Sequence, residues 1–172
     1  MALLTAGWPL LNSAVANRQP LSAGSRLTVG TGSASSGVVT VGSGWYLLPA
    51  DSNPAQEYVL QKDSDVLVIR HVSLVDRGQV PRMWQGLRQV LALSNPGVGL
   101  GKPVTFSTVH GLRAITGLVT GRRLIGTATV VPGPSREFAI VMVMLAPRGA
   151  SLAVRAAALR IMSSLVFTAQ TK

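Results

Sequence analysis

The chain of 172 residues contains no cysteine. That absence excludes a disulfide framework, a thiolate nucleophile and a thiolate metal site, although it does not fix a compartment. Histidine is nearly absent too: His71 and His110 are the only two. They stand far apart with no motif spacing, so a metal site would need distant carboxylates to converge on one of them. No metal or other cofactor is expected. A Ser-His-acid triad needs no adjacency in sequence, but no Gly-x-Ser-x-Gly elbow occurs and carboxylates are scarce. The chain is therefore not expected to be an enzyme. Aromatic residues make up only 5% of the chain. Few rings are available to stack on bases, no basic run exceeds two residues, and no recognised motif appears, so nucleic acid is not the expected partner.

Acid is the other scarcity. There are 6 Asp and Glu against 16 Lys and Arg, for a net charge of +10. Asp51, Glu57, Asp63, Asp65 and Asp76 fall in one stretch, and from Arg77 onward Glu137 is the only acid. Such asymmetry favours a polyanionic partner, either an acidic protein or anionic lipid headgroups; the plain alternative is a solvated basic face. Arg122 and Arg123 sit where Gly121-Arg122 suits a two-residue turn with Gly first. With Arg113 on the preceding strand, they are the candidate anion or partner contacts.

What is present is apolar. Residues 138–145, Phe-Ala-Ile-Val-Met-Val-Met-Leu, have no polar position. A half-buried strand alternates, so this one is expected at the centre of a sheet, apolar on both faces. Residues 66–69, Val-Leu-Val-Ile, lead to the same expectation. Further strands are expected over 25–30, 38–41, 44–49, 58–61, 104–108, 112–119 and 124–131, joined by Gly-, Ser- and Pro-rich turns. Residues 81–93 predict a helix. Val80, Met83, Trp84, Leu87, Val90 and Leu91 recur at steps of three and four, with Arg82, Gln85, Arg88 and Gln89 on the other side. Pro81 suits its first turn, and Asn95-Pro96-Gly97 stops it. Ser151 can cap a second helix to about Ser163, with Leu152, Ala156, Leu159 and Met162 on one face. Residues 164–167 read as an apolar tail. Residues 96–103 fail as a phosphate loop: Pro96 stands at the first required Gly and Pro103 at the magnesium-binding hydroxyl. They read as a helix-to-strand connection whose glycines relieve backbone strain.

Residues 1–16 are uncharged and mostly apolar, but too short and too interrupted by Pro9 and Asn12 to span a bilayer, which needs roughly 20 residues. With Trp8 suited to a membrane interface, residues 1–24 are expected to be the end of a membrane or signal segment plus linker, or an N-terminal arm. Residues 25–172 are expected to form one domain. Short turns make its sheet antiparallel. The expected class is α+β, an antiparallel sheet flanked by a helix on each face. Trp45 and Trp84 lie on apolar faces of a strand and a helix; they are core residues or the lining of a ligand cleft.

This order of elements resembles the PsbP-like fold. Gly44-Trp45, the helix at 81–93, the meander at 112–145 and the closing Ile-Met-Ser-Ser-Leu-Val-Phe of 161–167 carry the resemblance. The chain is also similar to actinobacterial envelope proteins in which a membrane segment precedes such a domain. The resemblance implies a non-enzymatic binding or assembly domain with a protein partner. It also implies a place outside the cytoplasmic membrane, anchored by a segment preceding Met1. The alternatives are a lipid or small-ligand binder with an apolar cleft between helix and sheet, and a hydrolase.

Overall fold

The computed structural model describes residues 17–32, 36–73 and 80–168; the apolar stretch 1–16 lies outside them. In chain order the strands are β1 (Gln19–Pro20), β2 (Ser25–Val29), β3 (Gly37–Val41), β4 (Tyr46–Leu47), β5 (Glu57–Lys62) and β6 (Asp65–Ser73). Helix α1 (Val80–Ser94) follows, then β7 (Gly99–Leu100), β8 (Val104–Ser107), β9 (Arg113–Thr120), β10 (Leu124–Pro132), β11 (Phe138–Pro147), α2 (Leu152–Ser163) and β12 (Val166–Phe167).

The strand with no polar position lies at the middle of the fold. The main sheet runs β1-β4-β5-β6-β11-β10-β9, with β7 and β8 both on the outer edge of β9, and every pairing is antiparallel. All of β11 from Phe138 to Ala146 is buried. Its parity divides the core. Phe138, Ile140, Met142 and Met144 join one cluster with Ala158, Ile161 and Met162 of α2 and with Val29, Val39 and Val41. Ala139, Val141, Val143 and Leu145 join the other with Trp84 and Leu91 of α1. This is an α+β fold, mostly antiparallel sheet with two helices.

Four expectations need correction. The strands do not all enter one sheet: β2, β3 and β12 form a separate three-stranded sheet, so the expected apolar tail includes an edge strand. Residues 66–69 are not buried on both sides. Leu67 and Ile69 are fully buried while Val66 and Val68 are half-buried, because α1 packs toward β7 and β10 and leaves the β5–β6 end of its face thinly covered. Helix α2 buries Val154, Ala158, Ile161 and Met162, whereas Leu152 and Leu159 are 78% and 50% exposed. Only Met162 of the expected face is in the core. The strand expected over 44–49 shrinks to Tyr46–Leu47, since Pro49 opens a short 3-10 turn.

The first helix matches its expected stripe. Trp84 and Leu91 are buried, Met83 and Leu87 pack partly against the same cluster, and Arg82, Gln85, Arg88 and Gln89 are exposed. It stops where expected, with Gly97 at φ +85, a conformation that suits glycine. Gly99 and Gly101 do not relieve strain: neither has a positive φ, and a Cβ at either would meet the β9 backbone only at ordinary contact distance. None of the helices over the described residues is long and apolar enough to cross a membrane.

Candidate interaction surface

The turn between β9 and β10 shows how the basic end is built. Gly121 is not in a positive-φ conformation, so the expected glycine-first turn chemistry does not operate there. Its lack of a side chain matters for another reason: a Cβ would come within 2.8 Å of the Val98 side chain. The Gly121 carbonyl accepts hydrogen bonds from Arg148 Nε at 3.1 Å and Nη2 at 3.0 Å, and the Arg148 amide donates to the Arg123 carbonyl at 3.1 Å. Arg155 Nη2 of α2 reaches the Arg148 carbonyl at 3.4 Å. Arg122 and Arg123 are exposed and are thus gathered with Arg148 and Arg155. Arg113 is also exposed but stands at the other end of β9, about 23 Å away at the usual rise per strand residue. The structure does not bring it to the turn. Arg148 and Arg155 are too distant in sequence to be read as partners of Arg122. The available signal is the end of β11 beside the start of β10, where Pro147 pairs with Leu124.

Beside this cluster the main sheet has a stretch that none of the described residues covers. Paired residues in an antiparallel sheet share a face. Leu118 is opposite Thr127, which is opposite Met144; Val104 is opposite Thr116, which is opposite Thr129. Met144 and Met142, opposite Thr129, belong to the cluster that holds α2. Helix α2 reaches as far as Thr129, whose hydroxyl lies 3.9 Å from Met162 Sδ and 3.1 Å from the Thr116 hydroxyl. Among the described residues the cover ends there, and Val104 and Leu118 are 63% and 61% exposed. On α2, Leu159 stands one turn before Met162, and Leu152 two turns before Leu159. Both project from the helix flank on the Met162 side, away from Ala157, which packs in the core. The result is an apolar floor with an apolar wall.

The segments that build it carry charge of one sign. Segments 99–132 and 147–163, which build floor, wall and basic end, contain no Asp or Glu. Of the acids outside these segments, Glu57 and Asp65 are engaged within the fold. Glu57 is bound by Arg70 across β5–β6, with Nε at 2.9 Å. Asp65 is 1% exposed, and burial pushes its carboxyl above the usual 3.8 despite the nearby Arg155 charge, with Asp63 adding to the rise and a Ser64 hydrogen bond opposing it.

The tryptophans are placed apart. Trp45 is 1% exposed in the α2 cluster. Trp84, 3% exposed in the α1 cluster, lies against Gly117 and donates Nε1–H to the Gly101 carbonyl at 3.1 Å. They line no common cleft. His71 stacks on Phe138 with ring centroids 5.2 Å apart, and His110 is exposed in a turn. Among the described residues no three His, Asp or Glu side chains gather to hold a metal. What the arrangement offers is an anion-seeking rim beside exposed apolar surface.

No protein-family model matches the chain, and no curated protein matches it by sequence. Solved structures do. The cyanobacterial PsbP protein CyanoP of Synechocystis superposes with a TM-score of 0.57 at 12% identity, covering 89% of this chain and 98% of its own. The Saccharomyces cerevisiae Ran-binding protein Mog1p gives 0.54 at 12% identity, covering 84% and 96%. A point mutant of Mog1 gives 0.54 at 12% identity, covering 86% and 98%. The chain has a PsbP/Mog1-like fold. At that identity the likeness speaks for the fold alone.

Proposed function

We propose that this chain is a non-enzymatic binding or assembly domain that recognises a protein partner. The observation that carries the reading is the exposed apolar floor and wall at Val104, Leu118, Leu152 and Leu159, rimmed by arginine and built from segments that contain no acid. Exposed apolar surface with a polar rim is what partner surfaces present. The structural likeness to a Ran-binding protein points the same way. The layered description, a sheet with one helix against each face, belongs to this reading too, supported by the separation of α1 and α2 into different core clusters.

The setting we propose is the outer face of a cell membrane, with the domain anchored by a segment preceding Met1 and the partner membrane-associated. The uncharged, apolar stretch 1–16 and its Trp8 support it. In that setting Arg122 and Arg123 face the nearest anionic surface.

The experiment is site-specific photo-crosslinking in intact cells, with a benzophenone amino acid at position 118 or, as control, at exposed Gln89 on α1. The expected result is a discrete protein adduct from position 118, absent from 89 and lost with Arg122→Glu/Arg123→Glu. No adduct at 118, or equal adducts at both positions, overturns the reading.

A further inference from the structure

The bare floor has the shape of one missing element. Helix α2 covers the middle of the sheet, and the three-stranded sheet packs into the same cluster on the flank of α2 that holds β3. Among the described residues, the end of the same face that carries Val104, Leu118 and Thr120 has no layer, whereas Phe106 and Ala114 farther along β8 and β9 pack with the α2 cluster and α1 seals the opposite face. A helix on a sheet occupies a layer about 10 Å thick, and the step from Leu118 on the floor to Leu159 on the wall is the side of such a layer.

We propose that this step is the seat of an acidic amphipathic helix supplied by a partner protein, lying on β8–β10 alongside α2. The inference rests on the protein-binding reading above and specifies its occupant. Three observations select a helix of that charge. First, Leu152 and Leu159 are seven residues apart, two turns on one flank of α2. That is the spacing of a seam against a second helix running beside it. Second, floor and wall are two surfaces at an angle. The occupant therefore needs the wide apolar stripe of an amphipathic helix. A strand added to the free edge of β8 would extend the sheet and cover neither Leu118 nor Leu159. Third, the segments that build the seat carry only basic charge, and Asp65, the acid near Arg155, is buried. Arg122, Arg123, Arg148 and Arg155 gather at its one end, and Lys102 is exposed just before β8. Carboxylates on the outer side of the occupant would meet guanidinium groups at that end and the Lys102 ammonium beside β8.

The same charge argues against a second copy of the chain. A two-fold contact would set an acid-free, arginine-rimmed surface against itself. A flat bilayer meets α2 before it can reach the recessed Leu118.

The test is selection from a displayed library of amphipathic helices with Glu and Asp on the outer face and varied apolar seam positions. Matched libraries carry Lys on the outer face, or the same residues in an order that breaks the helical period. The acidic helical library is expected to enrich. Its selected peptides should bind at least tenfold more weakly to Leu118→Gln/Leu159→Gln, lose affinity in rising salt and leave binding to Gln89→Ala unchanged. Both leucines are exposed, so the double variant keeps the fold, and its melting curve checks this. No enrichment, equal enrichment of basic or aperiodic libraries, or unchanged binding to the double variant overturns the seat. Binding to phosphatidylglycerol vesicles but not phosphatidylcholine vesicles, lost in the double variant, with no peptide enriched, assigns the surface to a membrane and overturns it equally. Partner capture at position 118 without preference for acidic helices removes the helix and leaves protein binding standing. Failure of capture at 118 strikes the broader reading instead.

Discussion

Val119 and Leu118 are neighbours on β9, yet one is fully buried and the other 61% exposed. On the Val119 side the strand is sealed. Ile115, Gly117 and Val119 point toward α1, and the Trp84 ring fits so closely on Gly117 that a Cβ there would lie 2.7 Å from it. On the Leu118 side the same strand carries Thr116, Leu118 and Thr120, and none of the described residues forms a layer above Leu118 and Thr120. Both sides use residues that suit strands, so the difference does not come from β9. It comes from what each helix spans: α1 reaches β7 and β10, while α2 stops at Thr129. An apolar residue without a layer over it stabilises the fold little and is left available to something else.

The same charge placed on the two sides of β9 should have very different costs. Val119→Asp buries an unpaired carboxylate and is expected to cost more than about 4 kcal/mol, enough to unfold a marginal domain. Leu118→Asp is expected to stay within about 1 kcal/mol, the range of strand propensity at an exposed site. Urea midpoints measure both. Equal losses would mean that the Leu118 side is covered.

Next in size is Trp84→Ala. It removes the ring that seals Gly117 and leaves the Gly101 carbonyl without its donor. A loss of about 3–5 kcal/mol is expected. Thermal unfolding would show it, and a much smaller loss would mean that α1 does not hold this face. A gentler pair sharpens the comparison on α2. Ile161→Ala, at 1% exposure, should cost about 2–5 kcal/mol. Leu159→Ala should stay within about 0.5 kcal/mol, as surface substitutions do. If the two are alike, the helix face has been misassigned.

How much of this could be read from residues alone varies by element, for physical reasons. β11 was legible because eight consecutive apolar residues can only be satisfied between two layers. α1 was legible because Arg82, Gln85, Arg88 and Gln89 mark the side opposite its stripe, with only Ala92 and Leu93 breaking the pattern near its end. α2 was not. Its residues are apolar nearly all round, so periodicity could not choose between the Leu152–Leu159 flank and the Ala158–Ile161 face, and the smaller side chain went inside. Nothing local tells β2 and β3 to leave the main sheet, since a hairpin is satisfied in either. The surface itself was half legible. Arg122 and Arg123 were readable as an exposed turn. Leu118 and Val104 read as ordinary strand residues, because exposure depends on where a distant helix ends.

The smallest expected effect lies in the covered half of the face that Leu118 leaves bare. Asp65 follows the Leu145–Val66 pairing by one step and is buried, on the same side of β6 as Leu67. Burial raises its carboxyl above the ordinary 3.8; Arg155 and Ser64 oppose the shift without cancelling it. The folded state therefore holds this proton more tightly than the unfolded chain does. Stability from this group is fully present below pH 3.8 and declines as pH rises from there through the folded value, where ionising a buried carboxylate becomes costly. Above that value the loss is complete and flat. Asp65→Asn cannot titrate, so the difference in stability between variant and parent should shift in favour of the variant across that window and be level on either side. Urea midpoints at intervals of half a pH unit from 3 to 7 resolve it. Parallel curves would mean that Asp65 is solvated, and that α2 lies no closer over its end of the sheet than over Leu118. A shift of opposite sign would mean that Arg155 governs the carboxylate as an ion pair, and that the arginines gathered near the seat are partly neutralised from within.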